Sequence, residues 1–250
     1  MQLTHNQTVR GLQVINHILM IAGVIFVLFT GTWEWLGTSL IFYVVTGILG
    51  VNVGYHRLIS HRSFKTYLPI EKLLSVIGVV TTIGSPMAWT AIHRQHHRAA
   101  EKPDDPHSPY QVGKFNAWFG FWNYLPLNPK LVREMRKDKF QKFLHNHYLA
   151  LIVVYCGILA MIDPLLVIFG YAIPACLCLH STSSIIVIAH YHGYKPYQVN
   201  DESRNSWIAH LLSLGEGWHN THHAKPYQWQ QGEQWWEFDP PSWIIRLIKK

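Results

Sequence analysis

Eight of the chain's 17 histidines fall in three short boxes: His56-Arg57-Leu58-Ile59-Ser60-His61, His93-Arg94-Gln95-His96-His97 and His219-Asn220-Thr221-His222-His223. Neutral imidazole is the commonest protein metal ligand, so the boxes point to metal chemistry. Positions i, i+3 and i+4 share one face of a helix, which lets His93, His96 and His97 converge, and likewise His219, His222 and His223. Eight clustered imidazoles exceed the four ligands of a zinc ion and suit two metals of higher coordination number. Imidazole suits zinc, copper, iron and nickel alike, so ligand type does not choose among them. No Asp or Glu lies inside a box, which excludes a carboxylate-bridged bundle built on Glu-x-x-His. The spacing of five in the first box sets His56 and His61 about 140° apart on a regular helix. Either the helix ends there or the two histidines serve different metals; the place of His56 at the end of an apolar run favours different metals.

A ninth ligand is His190, at the end of the last apolar run, with His192 as the alternative. An ionisable residue at the end of a membrane span is a functional candidate by default. Asp105, His107, Glu216 and Asn220 stand beside the boxes as residues able to orient imidazoles, the acids by fixing their tautomers. His180 lies near Thr182, Ser183 and Ser184 in the last run. It either lines a buried channel or hydrogen-bonds between helices. His5, His17, His145, His147 and His210 read as packing or surface groups.

The boxes must be carried by membrane elements. Hydrophobic residues make up 49% of the 250 and charged residues 14%, the balance of a membrane protein. Five apolar stretches occur, at about 12–31, 36–55, 73–92, 143–162 and 165–189. Each is close to the roughly 20 residues needed to cross the hydrocarbon core. The third separates His61 from His93. A full crossing would put them roughly 30 Å apart, too far to share a metal centre, so 73–92 reads as a broken helix buried in the protein or lying on the membrane. Its Gly78, Gly84, Ser85 and Pro86 fit that reading. Four spans remain as two hairpins, turning near Gly31–Gly37 and at Asp163-Pro164. The cap, 56–142 and 190–250, carries the boxes, and the whole forms one domain, 1–250.

Neither hairpin turn contains Lys or Arg; Arg10, 14 basic residues between Tyr55 and Asn146 and six after His190 account for all 21. The positive-inside rule then places both termini and the boxes in the cytoplasm. The net charge of +7 belongs to that face, because the basic residues flank apolar spans and no basic-aromatic recognition motif suggests nucleic acid. Cys156, Cys176 and Cys178 sit in apolar stretches and read as small buried hydrophobes. The N-terminal run reads as a retained span rather than a cleaved leader. Phe115–Tyr124, with Trp118, Phe119, Phe121, Trp122 and Tyr124, reads as interfacial anchoring, as do Trp235, Trp236, Trp243 and Ile244–Ile248.

These boxes, with Asp105-Pro106-His107 and Gly215-Glu216-Gly217-Trp218-His219-Asn220-x-His222-His223, resemble the membrane-bound fatty-acyl desaturases of the acyl-CoA (delta-9-like) branch, over about residues 10 to 225. The resemblance implies an all-α protein of four transmembrane helices under a cytoplasmic cap. It implies a di-iron centre that uses O2 and two external electrons to remove two hydrogens from an acyl chain. Its nine ligands fall on His56, His61, His93, His96, His97, His190, His219, His222 and His223. Trp89 matches an aromatic bordering the acyl tunnel, and His180, Thr182 and Trp218 join it as expected tunnel residues. Electrons must come from a partner, a ferredoxin or a cytochrome. The chain departs from the family at Ile186, where an Asn is expected, at Ala88 in place of Glu, and over Asn116–Gly120. These departures leave a hydroxylase or related oxygenase on the same scaffold as an alternative. A non-catalytic metal handler is a remote one, since its ligands would line the spans.

Overall fold

The computed structural model describes residues 4–121 and 128–250, so Trp122 and Tyr124 of the expected anchoring stretch lie outside the described residues. Helix α1, His5–Thr30, starts at a capping box: Gln7 N–H donates to the Thr4 hydroxyl while the Gln7 side chain accepts from Thr4 N–H. It stops at Gly31, whose φ of 72° needs a residue without a Cβ penalty. One face of α1 is buried through Val9, Asn16, Gly23 and Val27, while Ile18, Ile21, Leu28 and Phe29 are exposed, as suits lipid rather than water. At Gly23 a Cβ would come within 2.6 Å of Ile168, so glycine permits the close crossing of α1 and the last span.

After a turn of three residues, α2 (Glu34–Val45) runs on into a π-helical segment, Thr46–Ser60. Helix α3, Leu68–Val79, packs on that segment: a Cβ on Gly50 would lie 2.8 Å from the Gly78 backbone, and one on Gly78 would strike the Tyr55 ring. The chain breaks at 80–85 and restarts in α4, Pro86–Ala99, with Ser85 as N-cap and proline in the first turn. The expected break in 73–92 is therefore present, and α3 and α4 are separate helices. Short helices α5 (Pro109–Val112) and α6 (Lys114–Trp118) follow, then α7 (Lys139–Asn146) and α8 (Tyr148–Ile162). The last long helix begins as a π segment, Val167–Ala172, continues as α9 (Ile173–Val187) and closes with a single 3-10 turn to His190. Helices α10 (Trp207–Leu212), α11 (His219–Ala224) and α12 (Pro240–Ile248) complete the chain.

Among the described residues, three helices are long and apolar enough to cross a membrane: His5–Thr30, Glu34–Ser60 and Val167–His190. The expected span at 143–162 is instead two helices, α7 and α8, meeting at 73°. Alone, the 15 residues of α8 are about 22 Å long at 1.5 Å per residue, short of the roughly 30 Å hydrocarbon core. The bend leaves α7 amphipathic, with Gln141 and Leu144 turned inward and Phe143 exposed.

Candidate metal centre

The three boxes and His190 reach one place from four elements. His56 and His61 lie at the end of the π segment, the second box is the last half of α4, His190 ends the α9 span, and the third box is α11. Their ligand atoms form two groups within each of which all lie within 4.8 Å of one another: His56, His61, His93, His97 and His222, and His96, His190, His219 and His223. His192 joins neither group. The expectation that His56 and His61 serve different metals is overturned, because both belong to the five-histidine group. The reason is the winding. A bond from His61 N–H to His56 C=O, 3.1 Å long, spans five residues, and such i→i+5 winding turns residues five apart toward nearly the same side.

Hydrogen bonds to carboxylates set the imidazole tautomers. Nδ1–H of His56 donates to Glu216 (2.8 Å), that of His96 to Asp105 (2.8 Å), that of His190 to Glu101 (2.9 Å) and that of His223 to Asp201 (2.8 Å). An ionised carboxylate only accepts, so each of these imidazoles presents a bare Nε2 lone pair inward. Those atoms converge: His56 and His222 Nε2 are 3.1 Å apart, His61 and His93 2.6 Å, His190 and His219 3.1 Å, and His97 and His222 3.0 Å. Among the described residues, the buried Nε2 of His223 has no hydrogen-bond partner.

Electrostatics favours the neutral form in six of the nine rings. Burial, then the neighbouring imidazoles, holds His61, His93, His97, His219 and His222 well below the ordinary histidine value. Burial also takes His223 down to about 4 against the pull of Asp201. His96 goes the other way, burial being outweighed by Asp105 and the more distant Asp201 and Glu101. Burial alone would raise Asp105, Asp201 and Glu216, yet His96, His223 and the Arg57–His56 pair respectively hold them below the usual carboxylate range. Neutral, converging nitrogen donors with carboxylates behind them are what an imidazole-bound metal pair requires. These residues fit such a group.

Of the four expected orienting residues, Asp105 and Glu216 hold ligand imidazoles directly. His107 packs its ring 4.5 Å from that of His96 and shares Asp105 with it. The Asn220 side chain accepts from Tyr197 N–H (2.8 Å) and its own N–H donates to Asn205 (3.0 Å), which fixes the start of α11. Sequence reasoning missed Glu101, Asp201 and the Arg57 network. Arg57 is fully buried, bonds Glu216 at 2.9 Å and Asp239 at 2.8 Å, and donates to the Trp229 carbonyl at 2.7 Å. The signal was available, since an arginine at the end of an apolar span must find partners. Glu101 and Asp201 stand in loops at no fixed offset from the ligands they hold.

Beside the two histidine groups lies a narrow cavity of about 50 Å³. Its walls include His56, His93, His96 and His219 with Trp89, Ile92, Ile185 and Ile186, and Thr182 lies on the α9 side. Trp89 stacks on His93, ring centroids 4.7 Å apart. Two expected tunnel residues do not line it. His180 turns to α1, its Nε2 3.1 Å from that of His17, and stacks on Trp118, so interhelical bonding is the reading that holds. Trp218 is wholly buried, donates from its indole to the Phe238 carbonyl (2.6 Å) and stacks on His210.

Long apolar helices that gather nine imidazoles beside an apolar cavity point to a membrane protein with a histidine-rich site able to hold metal. A family model described as fatty acid desaturase matches residues 31–240, and the chain belongs to that family. It is 34% identical over 223 residues, 87% of this chain and 70% of the relative, to an sn-1 stearoyl-lipid 9-desaturase of Synechocystis. It is 33% identical over 229 residues to a delta-9 acyl-lipid desaturase of Arabidopsis thaliana, covering 87% and 73%. With an acyl-CoA 5-desaturase of Anemone leveillei it shares 29% over 252 residues, covering 94% and 76%. The family makes the chain an oxidoreductase that desaturates fatty acyl chains.

Proposed function

We propose that the chain is a di-iron, O2-dependent desaturase of a fatty acyl chain carried on CoA or on a lipid. The observation that carries this reading is the meeting of nine imidazoles, in groups of five and four, against the wall of an apolar cavity. The five histidines would hold one iron and the four the other. When bound, the irons supply the oxidation of an unactivated methylene, which no amino-acid side chain can perform. The protein's own part is binding and exclusion. Trp89, Ile92, Ile185 and Ile186 hold the acyl chain and keep water from it, and orienting one C–H pair toward the imidazoles selects the bond. Asp105, Glu216, Glu101 and Asp201 hold the Nδ1 protons, so the Nε2 atoms stay available.

The basic residues support an orientation with both termini and the metal centre in the cytoplasm and α7–α8 completing a fourth, bent span. A ferredoxin or cytochrome supplies the electrons, and the basic face attracts an acidic carrier. The test gives purified, iron-loaded protein a reductant and acyl-CoA, carrier-linked and lipid-linked chains. A product lighter by two hydrogens is expected, and no oxidised product from any carrier would overturn the reading. Hydroxylation on the same scaffold is the second reading, since Ile186 stands on the cavity wall where the family resemblance leads one to expect an Asn. A product heavier by one oxygen would establish it.

A further inference from the structure

The carboxylates behind the two groups are distributed unequally. In the five-histidine group, among the described residues, only His56 gives its Nδ1–H to an acid, and that acid, Glu216, also holds the buried guanidinium of Arg57 at 2.9 Å. In the four-histidine group three of the four do so: His96 to Asp105, His190 to Glu101 and His223 to Asp201. Among the described residues the ion pairs of these three carboxylates are with imidazoles alone. One side thus has a single carboxylate on its imidazoles, whose guanidinium partner is shared with Asp239, and the other has three carboxylates.

We propose that this imbalance makes the two metal positions unequal in redox, so that the first electron delivered goes to the five-histidine position. The inference rests on the two-iron reading above. A carboxylate bonded to a ligand imidazole makes it a stronger donor, and nearby negative charge stabilises the higher charge state of a metal. Three such acids hold the four-histidine iron ferric. Behind the five-histidine iron only Glu216 bonds a ligand imidazole, and Arg57 partly offsets its charge, so less negative charge stands near that iron. The step is one electron from a one-electron reductant converting one Fe3+ to Fe2+; no bond to the protein forms or breaks. Glu101, Asp201 and Asp105 are on this account positioning residues that tune the metal through its ligands.

The test is an anaerobic redox titration of the iron-loaded full chain with dithionite and mediators, followed by Mössbauer and EPR spectra. Two steps are expected. The half-reduced protein should hold one ferrous and one ferric ion with at least a tenfold preference, about 59 mV for one electron. Glu101→Gln and Asp201→Asn each keep a hydrogen-bond acceptor for the imidazole, and should raise the lower midpoint while leaving the upper in place. Glu233→Gln, which removes an acid paired with Lys225 at 2.6 Å, should move neither. A single step with equivalent irons, or a shift of the upper midpoint in the first two variants, would overturn the inference. A chain that holds fewer than two irons would overturn the two-iron reading instead.

Discussion

His61 and His93 face each other through their Nε2 atoms at 2.6 Å, although 32 residues and the whole of α3 separate them. That contact requires the chain between them to leave and re-enter on one face, and it makes each ring part of a five-nitrogen set. Replacing either by alanine should leave the four-histidine group intact and abolish the five. Metal analysis should show iron falling from two per chain to about one, with desaturation reduced more than the roughly 100-fold upper range for losing an orienting partner. Two irons retained in His61→Ala would contradict the assignment.

Asp105 and Asn220 both flank boxes but do different work. Asp105→Asn removes the acceptor charge behind His96 and should weaken metal binding by about 10–100-fold. Asn220→Ala removes the side-chain acceptor of Tyr197 N–H and should cost about 1–3 kcal/mol of stability. Metal affinity measured by chelator competition should change only in the first variant, and the melting temperature should fall in the second.

Gly78 and Gly37 make a controlled pair. A Cβ on Gly78 would lie 2.1 Å from the Tyr55 ring, whereas one on Gly37 meets nothing within 4 Å. Gly78→Ala should cost about 1–3 kcal/mol through overpacking and push α3 off the ligand-bearing helix. Gly37→Ala should be neutral or stabilising by up to about 1 kcal/mol. Thermal unfolding in detergent compares the two.

Acid should destabilise the metal-free protein. Burial depresses His223 and His210 to about 4 and His107 to about 3, against an unfolded value near 6.5. The unfolded chain therefore binds more protons than the native one as pH falls below 6.5. Stability is full above that value and is lost progressively toward pH 4. Melting temperatures recorded across pH 4–7 should fall with acidification, and added iron should blunt the fall at His223, whose Nε2 would be occupied.

The convergence of the histidines was legible because their spacing is a local property: the 0, 3, 4 pattern needs only a helix to converge, and α4 and α11 supply it. The non-crossing third stretch was legible by exclusion, since His61 and His93 could not otherwise meet. The joint role of His56 and His61 was not, because a 100° turn per residue was assumed where the backbone is wound more loosely. The bend at His147 was hidden for a related reason: mean hydropathy over 143–162 does not register a helix end. Glu101 and Asp201 escaped because an acid that reaches a ligand from a loop leaves no periodicity behind. His180 and Trp218 show the converse error, in which polar or aromatic character near a box was taken for access to the cavity.

The segment Thr46–Ser60 carries its first ligand pair on a wide helical thread. An ordinary α-helix would aim residues four apart, not five, at the same target, so thread and interval are matched. The length of this stretch is thus as much a part of the metal-binding specification as the histidines themselves.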